Sequence, residues 1–99
     1  MIRVAIADDH LLVRAGFRAL LDSEPDIEVR VEASGGEELL RRIRQTPVDV
    51  VLLDIRMPDG DGLWTTEQIA ADDALAAVKV VIVTTFELDE YVARAIMAG

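Results

Sequence analysis

Asp49-Val50-Val51-Leu52-Leu53 is apolar after its first residue, and Asp54 closes the run. An unbroken run of this kind, rich in β-branched residues, fits a strand covered on both faces, as in the centre of a parallel sheet. Its flanks have the helical period. Upstream, Leu39, Leu40 and Ile43 face inward on a helix that starts near Ser34-Gly35-Gly36-Glu37 and runs to about Gln45. Downstream, Arg56-Met57-Pro58-Asp59-Gly60-Asp61-Gly62 is dense in turn formers, and a third helix covers about Leu63 to Ala71.

The same alternation extends to both ends of the chain. Val4-Ala5-Ile6-Ala7 reads as a buried strand that stops at Asp8-Asp9-His10. Leu11, Leu12, Ala15, Phe17, Leu20 and Leu21 then recur at helical spacing, with Arg14 and Arg18 on the other side. Ser23-Glu24-Pro25-Asp26 ends that helix, because proline cannot continue it. Ile27 to Glu32 alternates strictly, as a half-exposed strand at a sheet edge should. Val78 to Val83 is a fourth, apolar strand ending at Thr84-Thr85, and about Leu88 to Ala98 is helical with Gly99 placed as its C-cap. Four β-α units in series imply one α/β domain: a doubly wound parallel sheet, covered on both faces and joined by right-handed crossovers.

Composition narrows the functions. The chain has 99 residues, 52% hydrophobic and 29% charged, with 19 acidic residues against 10 basic and a formal net charge of −9. That balance is globular. So acidic a chain does not hold a nucleic-acid backbone by itself. The lack of cysteine excludes disulfides, thiol catalysis and cysteine-ligated zinc, and the single His10 excludes a multi-histidine metal site. No apolar run reaches the length of a membrane span, and Met1 to Ala5 enters a strand with no signal-peptide pattern, so a cytoplasmic location without membrane contact is expected.

Ligands of open parallel sheets bind beyond the carboxyl ends of the strands. Three of the four strands end there in acid or hydroxyl residues: Asp8 and Asp9, Asp54, and Thr84 with Thr85. If the first and third strands are neighbours, three carboxylates converge. Their repulsion is relieved by protonating one or by binding a divalent cation, and an all-oxygen site suits Mg²⁺, or Mn²⁺ in its place. A carboxylate beside such a cation is a competent nucleophile toward phosphorus. Each residue alone has a plainer account, Asp8 or Asp9 as a helix cap and Asp54 as a turn residue. The conjunction points to an aspartate that accepts a phosphoryl group beside a metal held by an acidic pair.

The chain also resembles the receiver domain of bacterial two-component response regulators, specifically the NarL/FixJ type with a LuxR-like helix-turn-helix output. The matching stretches are Val4 to His10, Val13-Arg14-Ala15-Gly16, Val51-Leu52-Leu53-Asp54-Ile55-Arg56-Met57-Pro58, Asp61-Gly62-Leu63 and Val81-Ile82-Val83-Thr84-Thr85-Phe86. The resemblance spans residues 1–99 and implies a flavodoxin-like fold with strand order 2-1-3-4. It implies Asp54 as phospho-acceptor, Thr84 as switch hydroxyl, Asp9 as a direct Mg²⁺ ligand, Asp8 acting largely through water, and the Arg56 backbone carbonyl completing the protein ligands. The partner would be a sensor histidine kinase, and the chain a phospho-accepting switch rather than a turnover enzyme.

The family pattern continues past Gly99 with a fifth strand and helix, a lysine that pairs with the phosphoryl group, an aromatic partner for the threonine, and a DNA-binding domain. Lys79 is no substitute for that lysine, because it starts the fourth strand at the opposite end of the sheet. An edge strand at Val78 to Val83 leads to the expectation of a homodimer. Of the remaining residues, Trp64 is expected partly buried on the third helix, His10 at the surface where the first helix starts, and Arg41, Arg42 and Arg44 on a solvated face. Phe86, Tyr91 and Val92 fit core packing or a partner surface equally. The alternative function is a phosphate-independent dimerisation module. A Mg²⁺-dependent phosphatase is disfavoured because the acids of the first strand are adjacent rather than two apart. Dinucleotide binding is disfavoured because no glycine-rich loop follows that strand.

Overall fold

A computed structural model describes residues 1–57 and 59–83. The elements in order are β1 (Ile2–Ala7), α1 (Leu11–Asp22), β2 (Ile27–Ala33), α2 (Gly36–Gln45), β3 (Val50–Asp54), α3 (Gly62–Ala71), a 3₁₀ turn at Asp73–Leu75, and β4 (Lys79–Val83). The strands form one parallel sheet in the order β2-β1-β3-β4. This is the expected doubly wound, flavodoxin-like topology. Thr84, Thr85, Phe86, Tyr91, Val92 and the helix expected over about 88–98 lie outside the described residues, as does Pro58.

The two faces of the sheet can be assigned from side-chain alternation. Ala5, Ala7, Val31, Ala33, Val51 and Leu53 pack in one cluster with Leu39, Leu40 and Ile43 of α2 and Ile69 of α3. Val4 and Ile6 are equally buried but alternate with that set, so they face the other side. That side is the α1 side, because Glu32, which alternates with Val31 and Ala33, pairs with Arg14 and Arg18. In β2 the strict alternation is broken: Val4 pairs with Val29 and Ala5 with Val31, leaving Arg30 as an extra residue of a bulge.

Helix α1 departs from its expected packing. None of its residues is buried, and Leu12 and Leu20 are 86% and 68% exposed. Apolar residues occur around most of this helix, and a sheet can cover only one side of it. Val13, Phe17 and Leu21 are the half-buried ones, and Arg14 is half-buried with them, so Arg14 sits on the sheet side rather than opposite. The other placements follow expectation. Leu39, Leu40 and Ile43 are buried, Trp64 is half-buried against the core, and Arg41, Arg42 and Arg44 are exposed. Among the described residues no helix is long and apolar enough to cross a membrane.

Opposite the expected site, Arg3 and Asp49 form a clasp that the sequence reading missed. The Arg3 backbone N–H and Nε donate to Asp49 Oδ2 at 2.8 and 3.1 Å, and Nη2 donates to Oδ1 at 3.0 Å. The clasp needs β1 beside β3, so it becomes legible only once the strand order is known. Lys79 pairs in register with Val50 at this same end, as expected.

Candidate phosphoryl and cation site

The site forms where β1 and β3 end together. Ala7 pairs with Leu53 in the last register pair, so the next residues, Asp8 and Asp54, emerge side by side. One ligand atom from each of Asp8, Asp9, His10 and Asp54 falls within 4.8 Å of all the others. Three of the predicted site residues are thus brought together. The fourth strand brings Val83 into register with Asp54; Thr84 follows it outside the described residues.

Asp8 is the most enclosed of the acids, 5% exposed, and its main chain is tied down. Its N–H donates to Ala33 O at 3.0 Å, and its carbonyl accepts from Arg14 Nη1 at 2.7 Å. Its Oδ1 accepts the backbone N–H of His10 at 2.8 Å. Asp9 is more open. His10 is exposed, as expected, and stands at the N-cap of α1 without a side-chain cap bond. Its Nδ1 nonetheless lies 3.3 Å from Asp8 Oδ1 and 3.0 Å from Asp9 Oδ1. Neither acid stands at the N-cap position, but Asp8 Oδ1 takes the N–H of the N-cap residue, so the plainer account of the pair holds in part, for Asp8.

Asp54 is half-buried at the end of β3. Burial, and next the charge of Asp8, push its carboxyl above the ordinary carboxylate value, while the backbone N–H groups of Arg56 and Ile55 pull the other way. The cluster therefore holds one carboxyl whose ionisation is opposed by its surroundings. A divalent cation relieves that opposition, and hard carboxylate oxygens are donors that Mg²⁺ and Mn²⁺ take. The residues present fit such an ion. The side chain of Arg56 is exposed. The structure shows its backbone N–H on Asp54, which was not part of the sequence reading.

The loop after Asp54 is held by close backbone packing. Gly62 N–H donates to Ile55 O at 2.7 Å, and a Cβ at Gly62 would stand 2.4 Å from the carbonyl oxygen of Asp54. Asp61 caps α3, its Oδ1 accepting from Trp64 N–H at 2.8 Å. The first N–H groups of α2 seat on the same loop: Gly36 donates to Gly60 O at 3.2 Å and Glu37 to Asp59 O at 3.0 Å. Helix α2 thus satisfies its end on the loop beside the site rather than on a capping side chain. Asp59 and Gly60 adopt positive φ, 64° and 101°, to present those carbonyls. The Gly-Asp-Gly text marked a turn but not this coupling.

The chain matches the response regulator receiver domain family over residues 4–99. It is 43% identical over 98 residues to the transcriptional regulatory protein YxjL and 42% identical over 99 residues to the transcriptional regulatory protein LiaR, both of Bacillus subtilis (strain 168). These alignments take in 99% and 100% of the chain but 44% and 46% of the two relatives. A crystal structure of a two-component response regulator of the LuxR family from Aurantimonas sp. SI85-9A1 superposes with a TM-score of 0.91 at 31% identity, over 100% of the chain and 69% of that structure. The chain belongs to the response regulator receiver domain family. The two Bacillus subtilis relatives are named as transcriptional regulatory proteins, and the chain spans less than half of their length.

Proposed function

We propose that the chain is the phospho-accepting receiver of a two-component system, taking a phosphoryl group from a sensor histidine kinase onto Asp54. The observation that carries this reading is the convergence of Asp8, Asp9 and Asp54 at the strand ends, with Asp54 raised by burial and by the charge of Asp8. A carboxylate made more basic by its surroundings is the better nucleophile. Attack by an Asp54 oxygen on the phosphorus of a phosphohistidine would form the O–P bond as the P–N bond breaks, with the imidazole leaving.

Asp9 and Asp54 would hold Mg²⁺, or Mn²⁺ in its place, through carboxylate oxygens. Asp8 would act largely through water, as the resemblance to receiver domains implies. The Arg56 backbone carbonyl would complete the protein ligands. Bound there, the ion supplies charge that offsets the phosphoryl oxygens. Thr84 would be the switch hydroxyl, turning toward phosphorylated Asp54 and biasing a two-state equilibrium. The output would be transcriptional, through a LuxR-type DNA-binding domain, in the cytoplasm. A homodimer is the proposed assembly, supported by the exposed Leu12 and Leu20 of α1 and Val81 of β4.

The test is intact mass after incubation with Mg²⁺ and a small acyl phosphate, beside Asp54→Asn. Gain of one base-labile phosphoryl group by the parent alone supports the reading. Gain by neither, or by both, refutes Asp54 as the acceptor in this chain. Light scattering tests the assembly, and a monomer at high concentration rejects it.

A further inference from the structure

Arg14 lies near the start of α1 on the side turned to the sheet, with its side chain 17% exposed. Its Nη1 donates to the Asp8 carbonyl at 2.7 Å. Its Nε lies 3.3 Å from Glu32 Oε1 but lacks the alignment of a hydrogen bond. The guanidinium is therefore aimed at the carbonyl, with Glu32 balancing its charge. Glu32 is held from the other side by Arg18, which also reaches Asp22.

The Asp8 carbonyl belongs to the planar peptide that joins Asp8 to Asp9. Fixing that plane fixes the Cα of both acids. With the Asp8 N–H already on Ala33 of β2, the Arg14 contact closes the hold from the α1 side. Without it, mutual repulsion favours moving the two carboxylates and Asp54 apart.

We propose that Arg14 is a positioning residue for the acidic pair: it locks the Asp8–Asp9 peptide so that both carboxylates meet Asp54 around one divalent cation. The proposal rests on the reading of these acids as a cation site.

Removing Arg14 has two effects of opposite sign. Losing a positive charge near an acidic pocket strengthens cation binding through space. Losing the fixed peptide weakens it, and outer partners of metal ligands are typically worth about 10–100-fold in affinity. The direction of the change therefore separates positioning from a field effect.

The chain and its Arg14→Gln, Arg14→Lys and Arg18→Gln variants are titrated with Mn²⁺, with free ion followed by electron paramagnetic resonance. Amide NMR of the metal-free forms follows the His10 N–H, which donates to Asp8 Oδ1 and so reports where that carboxylate sits. Arg14→Gln is expected to bind Mn²⁺ about tenfold more weakly and to shift the His10 amide while those of α2 and β3 stay in place. Arg14→Lys, keeping the charge and one donor group, should recover part of the loss. Arg18→Gln takes a charge from Glu32 without touching Asp8, so its Mn²⁺ affinity should be unchanged or tighter.

Mn²⁺ binding by Arg14→Gln as tight as the parent's, or tighter, overturns the proposal. Should Arg14→Gln fail to fold, Arg14→Lys decides: an unchanged affinity with an unmoved His10 amide overturns it. A parent chain that binds no Mn²⁺ sinks the cation-site reading instead. The metal-free His10 resonance then decides alone whether Arg14 holds the acidic pair.

Discussion

Gly62→Ala tests whether backbone packing against Asp54 shapes the site. The change adds one methyl at the first residue of α3, where alanine is favoured over glycine by about 1 kcal/mol on helix propensity alone. Space decides against it. The new Cβ would stand 2.4 Å from Asp54 O, 2.8 Å from Ile55 Cα and 3.1 Å from Asp54 C, all backbone atoms that cannot swing aside. Ordinary contact begins near 3.4 Å, so α3 and the end of β3 must part by about 1 Å. Overpacking of this kind typically costs about 1–3 kcal/mol. The 2.7 Å hydrogen bond from Gly62 N–H to Ile55 O is stretched with it, a further loss of about 0.5–1.5 kcal/mol. The net expectation is a destabilisation of about 0.5–3.5 kcal/mol.

Gly16→Ala is the matched control. Gly16 lies inside α1 with nothing within 4 Å of the added Cβ, so propensity acts alone and the protein should gain up to about 1 kcal/mol. Thermal and urea denaturation of both variants measures the contrast. In a domain of this size about 1 kcal/mol moves Tm by roughly 4–8 °C, so the two substitutions should shift Tm in opposite directions. Gly62→Ala should also slow phosphorylation of Asp54, because the parting occurs at its carbonyl. A Gly62→Ala protein as stable as the parent, with unchanged phosphorylation, would refute the reasoning.

Three further outcomes are expected. Ionised Asp54 subtracts stability above its folded pKa, and the penalty fades as pH falls through that value toward the unfolded carboxylate range; Asp54→Asn should therefore raise the urea midpoint at neutral pH, by less as the medium is acidified, and a gain that grows with acid would contradict this. Asp49 is held down to about 2 by hydrogen bonds from Arg3, so its contribution is present above its ordinary value of 3.8 and lost between there and about 2. Acid unfolding of Asp49→Asn should lack that component, which salt should shrink because the clasp is exposed to solvent. Mg²⁺ at a hundred times its dissociation constant should add about 2.7 kcal/mol of stability to the parent, and far less to Asp9→Asn, as read by Tm with and without chelator.

The parts of the fold legible in the sequence are those whose pattern had one solution. Val50 to Leu53 is apolar on both sides and could only be central. Leu39, Leu40 and Ile43 define a narrow stripe, and all three are buried as read. Helix α1 has apolar residues around most of its circumference, so periodicity could not say which of them the sheet would take. Arg14 was placed on the wrong side for the same reason. Its partners, a backbone carbonyl and a glutamate on another strand, leave no trace in local spacing. The acids of the site were legible because strand ends in a parallel sheet converge by topology. The seating of α2 and Gly62 on the loop beside Asp54 was not, since it depends on backbone atoms that no side-chain pattern encodes.

The site combines an electrostatic conflict with main-chain restraint. Three carboxylates near one point repel, and an unrestrained loop would relieve this by turning one of them outward. Here the main chain of the acidic pair and both ends of Asp54 are tied. The Asp8 peptide is held by Ala33 and Arg14, the Asp54 carboxylate by the N–H groups of Ile55 and Arg56, and the Asp54 carbonyl is backed by Gly62. These restraints use backbone groups and glycines, which add no charge at the pocket, and one guanidinium whose charge Glu32 balances. Glu32 offsets much of the one positive charge these restraints bring, so most of the negative field remains for whatever cation binds. Stabilising the metal-free pocket with a nearby lysine or arginine would ease the repulsion and weaken the cation's hold by the same interaction. Restraint without neutralisation keeps the conflict available to be relieved by a ligand, which is what a site that must respond to an added ion and phosphoryl group requires.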